Sequence, residues 1–319
     1  MMTKTELTLQ DIKEAAKRIR PYIVRTPLLR CQSMDKMLGC QVYLKPEMFQ
    51  VSGAFKMRGA VNKIYALSPE ERDKGIICSS SGNHGKACAL AAAATGTRVI
   101  VVLPVDTPKV KVDGTLSLGG EVIFGPRIYQ ERWRMVQELA DKNDYTIVHG
   151  YEDYEVMAGQ GTLGLEILED LPEADTIFVP VGGGGLIAGV AVAVKAINPG
   201  IKIVGVQPKA SNGYVQSRKA GHPVEVECLP SIADGLTCRR PGNNPYPIIE
   251  KYVDDFVSVG EEDIKRAMKL VLSEGKLLAE PSSCVGIAAL LGGEYKPRTD
   301  EKTCFILTSG NWEIDLEEI

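Results

Sequence analysis

Lys56 stands between Phe55 and Met57 in the stretch Ser52-Gly53-Ala54-Phe55-Lys56-Met57-Arg58-Gly59-Ala60. An ammonium with apolar neighbours loses hydration, its pKa falls, and the neutral amine becomes available as a Schiff-base nucleophile or a general base. A lone lysine at a helix start more often snorkels to solvent. The chemical reading therefore rests on three further segments, Ser80-Ser81-Gly82-Asn83-His84-Gly85, Gly182-Gly183-Gly184-Gly185 and Thr308-Ser309-Gly310-Asn311, each placed after an apolar strand-like run. A backbone without side chains can approach an anion closely, and a helix that follows it aims free N–H groups and its positive dipole end at the same point. The order strand, four glycines, helix between Val179 and Ile197 thus predicts a phosphate cradle, where a tight turn alone would need only one or two glycines. It has neither the dinucleotide glycine spacing nor the lysine of an ATP loop. Around Ser80 to Gly85, hydroxyls and N–H groups converge as a nest for a carboxylate, with ordinary helix capping as the alternative. Asn83 offers an amide to a phenolate oxygen, and His84 is given no acid-base role.

The elements that would position these residues follow from periodicity. Thr8 caps a helix in which Leu9, Ile12, Ala16 and Ile19 recur at helical spacing before Pro21. Arg25-Thr26-Pro27-Leu28 leads into a short strand, Gln41 to Lys45 forms another, and Gly39 is expected as the turn between them. From Gly75 to Val148 strand and helix patterns alternate. They resume with a helix opening at Gly159-Gln160-Gly161-Thr162, a buried strand over Thr176 to Val181, a helix over Leu186 to Ile197 and a strand over Ile201 to Val206. Helices over Glu262 to Ser273 and Ser282 to Leu291 precede the last strand, Thr303 to Leu307. This alternation implies right-handed crossovers and parallel sheets. Pro241-Gly242-Asn243-Asn244-Pro245 is expected to be a surface loop.

Bulk properties bound the function. With 319 residues, 44% apolar, 24% charged and a net charge of -4, the chain has the composition of an α/β protein that handles small metabolites, with neither nucleic acid nor membrane as main partner. Eight cysteines without a CxxC pair, several inside apolar runs, predict reduced thiols and a cytoplasmic protein. The first residues lack an apolar signal-peptide core, and no apolar run reaches the length of a membrane span.

Taken together and in order, Arg25-Thr26-Pro27-Leu28, Glu47 and Gln50, Lys56, the Ser80 loop, the four glycines and the Thr308 segment resemble the fold-type II pyridoxal-phosphate enzymes, within them the serine/threonine dehydratases and serine racemases. The resemblance covers nearly the whole chain. It implies an α/β fold like the tryptophan synthase β chain, with two parallel-sheet domains and the cofactor in the cleft between them. Residues 1-74 and 151-319 would form the large domain and 75-150 the small one, without the C-terminal regulatory domain of biosynthetic threonine dehydratases, and the chain would form a homodimer. Pyridoxal 5'-phosphate would be held by Phe55, Lys56, Asn83, Gly182, Gly183, Gly184, Gly185, Thr308 and Ser309. Ser80, Ser81, Gly82, Asn83 and His84 would line the substrate, with Lys56 and Ser81 as the catalytic pair.

Departures from the family pattern bear on the activity. Thr308 stands where a serine usually bonds the pyridine nitrogen, and Ser309 follows it, so either hydroxyl could serve; Thr308 is preferred by position. Ala54 and Lys86 replace a common serine and glutamine. Gln207 and Gly213 stand where racemases carry acidic residues for a divalent metal, so no metal site is expected. Ser81, in contrast, matches the hydroxyl that racemases use as their second acid-base group. Dehydration of L-serine or L-threonine is the leading expectation. Racemisation, β-replacement of the cysteine-synthase kind, and a non-covalent amino-acid-sensing or nucleotide-binding protein remain open.

Overall fold

The computed structural model describes residues 6–80 and 82–312. In chain order these form α1 (Leu9–Ile19), β1 (Leu29–Arg30), α2 (Gln32–Leu38), β2 (Gln41–Pro46), α3 (Lys56–Ala66), α4 (Pro69–Lys74), β3 (Ile76–Ser79) and α5 (Asn83–Thr95). Then follow β4 (Val99–Pro104), α6 (Lys109–Ser117), β5 (Glu121–Gly125), α7 (Tyr129–Asn143), β6 (Thr146–Ile147), α8 (Tyr154–Asp170), β7 (Thr176–Pro180) and α9 (Gly185–Ile197). The chain continues through β8 (Lys202–Pro208), α10 (Gly213–Ala220), α11 (Pro245–Tyr252), β9 (Asp255–Val259), α12 (Glu261–Ser273), α13 (Val285–Leu291) and β10 (Lys302–Leu307).

Among the described residues the strands make two sheets, one ordered β1-β2-β10-β7-β8-β9 and the other β5-β4-β3-β6. Every pairing is parallel except β1 with β2, where Leu29 faces Leu44. In the larger sheet Phe305 of β10 pairs with Leu44 on one side and Phe178 on the other. Parallel strands need both faces covered, which the near-continuous burial of β7 and β10 shows. One face packs on α8 and α9, through residues such as Leu163, Ile187 and Val190, and the other on α12 and α13. The smaller sheet buries Ile76, Cys78, Val99 and Val101 against α5 and against Met57, Val61 and Ile64 of α3. So α3, which begins at Lys56, packs between the smaller sheet and the helices α1 and α8, through Ile19 and Val156.

Thr8 caps α1 in a full capping box with Asp11, and the buried stripe is Ile12, Ala15 and Ile19. Ala15 takes the place expected for Ala16. The link between β1 and β2 contains helix α2, with Met34 and Leu38 buried one turn apart, and Gly39 is the left-handed C-cap of that helix (φ 72°), not a hairpin turn. Strand β9 and helices α10 and α11 are further elements absent from the sequence-based expectation. The loop over 241–244 is present, but Pro245 already starts α11.

Candidate active site

Lys56 is the first residue of α3, so its side chain leaves the helix at an end with no intrahelical carbonyl to serve it. Its Nζ donates to the carbonyl oxygen of Gly150 at 2.9 Å and lies 5.0 Å from the centre of the Phe55 ring. Burial is the largest influence and brings the ammonium down to about 8, against smaller opposing pulls from Cys88, Glu280 and Cys238. Acetic anhydride labelling of the cofactor-free protein should therefore acylate Lys56 with a midpoint near pH 8, since only the neutral amine reacts. A midpoint at an ordinary lysine's 10.5 would contradict the desolvated pocket.

The start of α3 is fixed by Arg58, whose guanidinium is fully buried. Nε and Nη2 bond the two Glu47 carboxylate oxygens at 2.7 and 2.8 Å, Nη1 and Nη2 bond the two of Glu166 at 2.7 and 2.9 Å, and Nη1 also reaches Thr162 Oγ1 at 3.2 Å. All five N–H donors are used. Buried Lys45 adds a third bond to Glu166 at 2.7 Å, and Thr26 donates to Glu47 at 2.6 Å, so two cations balance two carboxylates. Gln50 exchanges two 2.8 Å bonds with the backbone of Val24. The residues around Thr26, Glu47 and Gln50 thus clamp the lysine segment from outside the site.

Gly150 lies in a turn that His149 organises: its Nδ1 accepts the N–H groups of Tyr151 and Glu152 at 3.2 and 3.1 Å. Burial, followed by the charge of Lys56, lowers His149 to about 4, which leaves that nitrogen free to accept at neutral pH. The Tyr151 ring stands edge-on to His149, centres 4.5 Å apart. Its other side lies against the glycine run. A Cβ on Gly183 would fall 2.4 Å from a Tyr151 ring carbon, and Gly184 has a φ of +100°, which L side chains rarely adopt. One turn therefore receives the Lys56 amine and walls the glycine run. Gly182 to Gly184 lie between the end of β7 and the first turn of α9, whose N–H groups are free by helix geometry. Thr308 directly follows β10, the neighbour of β7 in parallel pairing, so both segments meet at the carboxyl edge of one sheet, where ligands of open α/β folds bind.

Asn83 opens α5. Its Nδ2 donates to Ser309 Oγ at 3.1 Å and to Glu280 at 3.2 Å, and its Oδ1 accepts from Asn311 at 2.8 Å. Asn311 also donates to the Ser52 carbonyl at 2.8 Å, and the Phe55 N–H bonds the Thr308 carbonyl at 3.0 Å, which ties the lysine stretch to the end of β10. Ser309 is fully buried on the Asn83 side, whereas the Thr308 hydroxyl sits 3.0 Å from Ser283 Oγ. Ser283 in turn donates to the Ser309 carbonyl and accepts the Ser309 N–H, both at 2.8 Å. The His84 ring turns inward, with Nε2 at 2.9 Å from the Val148 carbonyl, and burial followed by Lys56 lowers it to about 3. A neutral ring that donates from Nε2 leaves Nδ1 without a proton, and that buried atom has no partner among the described residues. Ser80 Oγ accepts the Gly82 N–H at 3.2 Å. Ser81 lies outside the described residues.

Sequence reasoning missed Gly150, Tyr151, Glu280 and Ser283. Glu280 is half-buried, and desolvation raises its carboxyl above the ordinary range against the pull of Ser309 and Asn83. Its signal is a single acid amid Leu277, Leu278, Ala279 and Pro281. Gly150 and Tyr151 carry no such mark. Gln207, buried at the end of β8, accepts the N–H groups of Tyr214 and Val215 at 2.9 and 3.3 Å. Among the described residues no group of three or more His, Cys, Asp or Glu could hold a metal ion, and no helix is long and apolar enough to cross a membrane.

The profile of the family described as pyridoxal-phosphate dependent enzyme matches residues 19–309. An L-threonine ammonia-lyase of Thermotoga maritima is 39% identical over 311 residues, 97% of this chain and 77% of that protein. A serine racemase of Oryza sativa is likewise 39% identical over 312 residues, 97% of this chain and 91% of that one. The solved structure of maize serine racemase superimposes with a TM-score of 0.91 at 39% identity, covering 98% of this chain and 95% of that one.

Proposed function

The chain belongs to the pyridoxal-phosphate dependent enzymes, and on that premise we propose that it dehydrates and deaminates a small β-hydroxy amino acid, L-serine or L-threonine, to a 2-oxo acid and ammonia. The observation that carries the proposal is the Lys56 amine, lowered to about 8 and held at the turn that walls the glycine run. A desolvated amine, a side-chain-free anion cradle and an amide amid neutral hydroxyls are the donor set that pyridoxal phosphate needs. Gly182 to Gly185 would hold its phosphate, Lys56 its carbonyl carbon, with Phe55 alongside, Asn83 its ring hydroxyl, and Thr308, backed by Ser283, or Ser309 its ring nitrogen.

When bound, the cofactor supplies an electron sink for the α-carbanion, a moderate one where the ring nitrogen meets only a hydroxyl. The chain's own residues do the rest. The N–H groups around Ser80, Gly82, Asn83 and His84 bind and orient the substrate carboxylate. His84 contributes backbone there, since its ring is turned toward Val148. The Lys56 amine removes the α-proton as general base, a role worth ~10²–10⁴-fold. Loss of the β-hydroxyl as water and hydrolysis of the released enamine complete the reaction. Assaying 2-oxo acid release across a panel of hydroxy amino acids tests the proposal; no release from either L-serine or L-threonine would sink it.

Serine racemisation is the second reading, favoured by the 39% identity to the Oryza sativa racemase and by Ser81. Racemisation needs proton donors on both faces of a planar carbanion, and Lys56 covers one. Ser81→Ala should largely spare elimination from the L-substrate while abolishing enantiomer exchange. Chiral chromatography of serine beside pyruvate release reads both; racemisation that outruns elimination in the wild type and vanishes in the variant would reverse the ranking. Against that outcome stands Gln207, an uncharged amide bonded to α10 where racemases place an acid. The division into 1–74 with 151–319 and 75–150 is proposed from strand membership of the two sheets. A homodimer is proposed from the family resemblance, and a reducing cytoplasmic setting from eight free cysteines.

A further inference from the structure

We infer that Gln207 and Tyr214 are positioning residues that preset the glycine cradle from behind. The inference rests on the reading of that loop as the phosphate site. A trans peptide is planar and its C=O and N–H point in opposite directions, so fixing a carbonyl on one side aims the next N–H to the other. The Tyr214 hydroxyl donates to the Gly183 carbonyl at 2.9 Å and, with the Gly242 N–H that reaches the same oxygen at 3.2 Å, turns the Gly184 N–H away from Tyr214. The Gln207 Nε2 donates to the Val181 carbonyl at 3.4 Å, which does the same for Gly182. Two alternate amides of the run are thereby aimed to one side before any anion arrives.

The two residues are also coupled. Asn212 makes no side-chain cap for α10, and the Gln207 Oε1 instead accepts the Tyr214 and Val215 N–H groups from across the sheet edge. The ring that α10 delivers is immobilised: Tyr214 is 1% exposed and stacks on Phe256 with centres 5.4 Å apart and planes 5° from parallel. Gly184 has no room to drift toward it, since a Cβ there would fall 2.1 Å from the Tyr214 hydroxyl. Preorganised donors bind an anion without first reordering, which is why such a backing hydroxyl affects affinity although it never touches the ligand.

Tyr214→Phe removes the hydroxyl and keeps the ring. Dissociation constants of the cofactor-free protein for pyridoxal 5'-phosphate and for pyridoxal, which lacks the phosphate, separate positioning from general damage. The phosphorylated form should bind about 3–10-fold more weakly in the variant, the effect of one hydrogen bond, while pyridoxal changes less than about 2-fold. Gln207→Leu, which removes both the cap and the Val181 bond, should shift the ratio in the same direction. Equal weakening of both ligands, or no change in either variant, would overturn the inference. Wild-type protein that binds neither ligand would instead overturn the cofactor reading and this inference with it.

Discussion

Lys56→Ala is expected to abolish turnover and covalent cofactor attachment together while leaving the fold intact. Loss of the general base alone removes ~10²–10⁴-fold in rate, and loss of the Schiff-base partner takes what remains below detection. The fold should survive because, among the described residues, the Lys56 side chain makes one hydrogen bond, to the Gly150 carbonyl, and its ammonium is held at a desolvation cost. Thermal unfolding of the cofactor-free variant at or above the wild-type midpoint, beside absent 2-oxo acid release, is the expected pair of results. A variant that retained near-normal elimination would remove Lys56 from the chemistry.

The second large effect is on stability. Arg58→Met deletes the cation that holds two buried carboxylates and, among the described residues, leaves Glu47 with the Thr26 hydroxyl and Glu166 with Lys45. Stranding a buried charge costs ~3–5 kcal/mol, a large fraction of the stability of an ordinary domain. Urea unfolding should show a midpoint lowered accordingly, with cofactor attachment weakened because α3 loses the clamp two residues from Lys56. A loss under about 1 kcal/mol would mean the network is an incidental polar cluster. Acid should mimic the mutation. Burial pushes the Glu166 carboxyl up, but the bonds and charges of Arg58 and Lys45 prevail and hold it below its ordinary 4.5. A carboxyl depressed in the folded state contributes stability above the unfolded value, and that contribution is lost as pH falls through the folded one. Wild type should therefore destabilise more steeply below about pH 4.5 than Arg58→Met, measured as urea midpoint against pH.

Much of the candidate site was legible in the sequence because backbone stripped of side chains leaves compositional traces. Four consecutive glycines after a buried strand, and Ser-Gly-Asn before a helix of small residues, announce close approach of backbone to an anion. The regular spacing of apolar residues likewise specified the alternating strands and helices of the smaller sheet. Other parts left no such trace. Gly150 enters the site through its carbonyl, which every residue possesses. Tyr151 matters through where its ring rests. Gln207 and Tyr214 act across a sheet edge, and their pairing depends on α10, a short helix with no side-chain cap of its own. Helix α2 was missed for a related reason: seven residues give only Met34 and Leu38 as a periodic signal, and Gly39 fits a turn as well as a C-cap. The order of the strand-end hydroxyls is a matter of alternation. Thr308 and Ser309 point to different neighbours, Ser283 and Asn83, and only three-dimensional pairing separates them.

The central claim is that Lys56 carries the cofactor. Borohydride reduction of the purified holoenzyme, followed by mass spectrometry of its proteolytic fragments, tests it directly: bleaching of the absorbance near the visible edge and a stable pyridoxyl phosphate adduct on Lys56 are predicted, and an adduct on a different lysine, or none with the absorbance intact, would contradict the account.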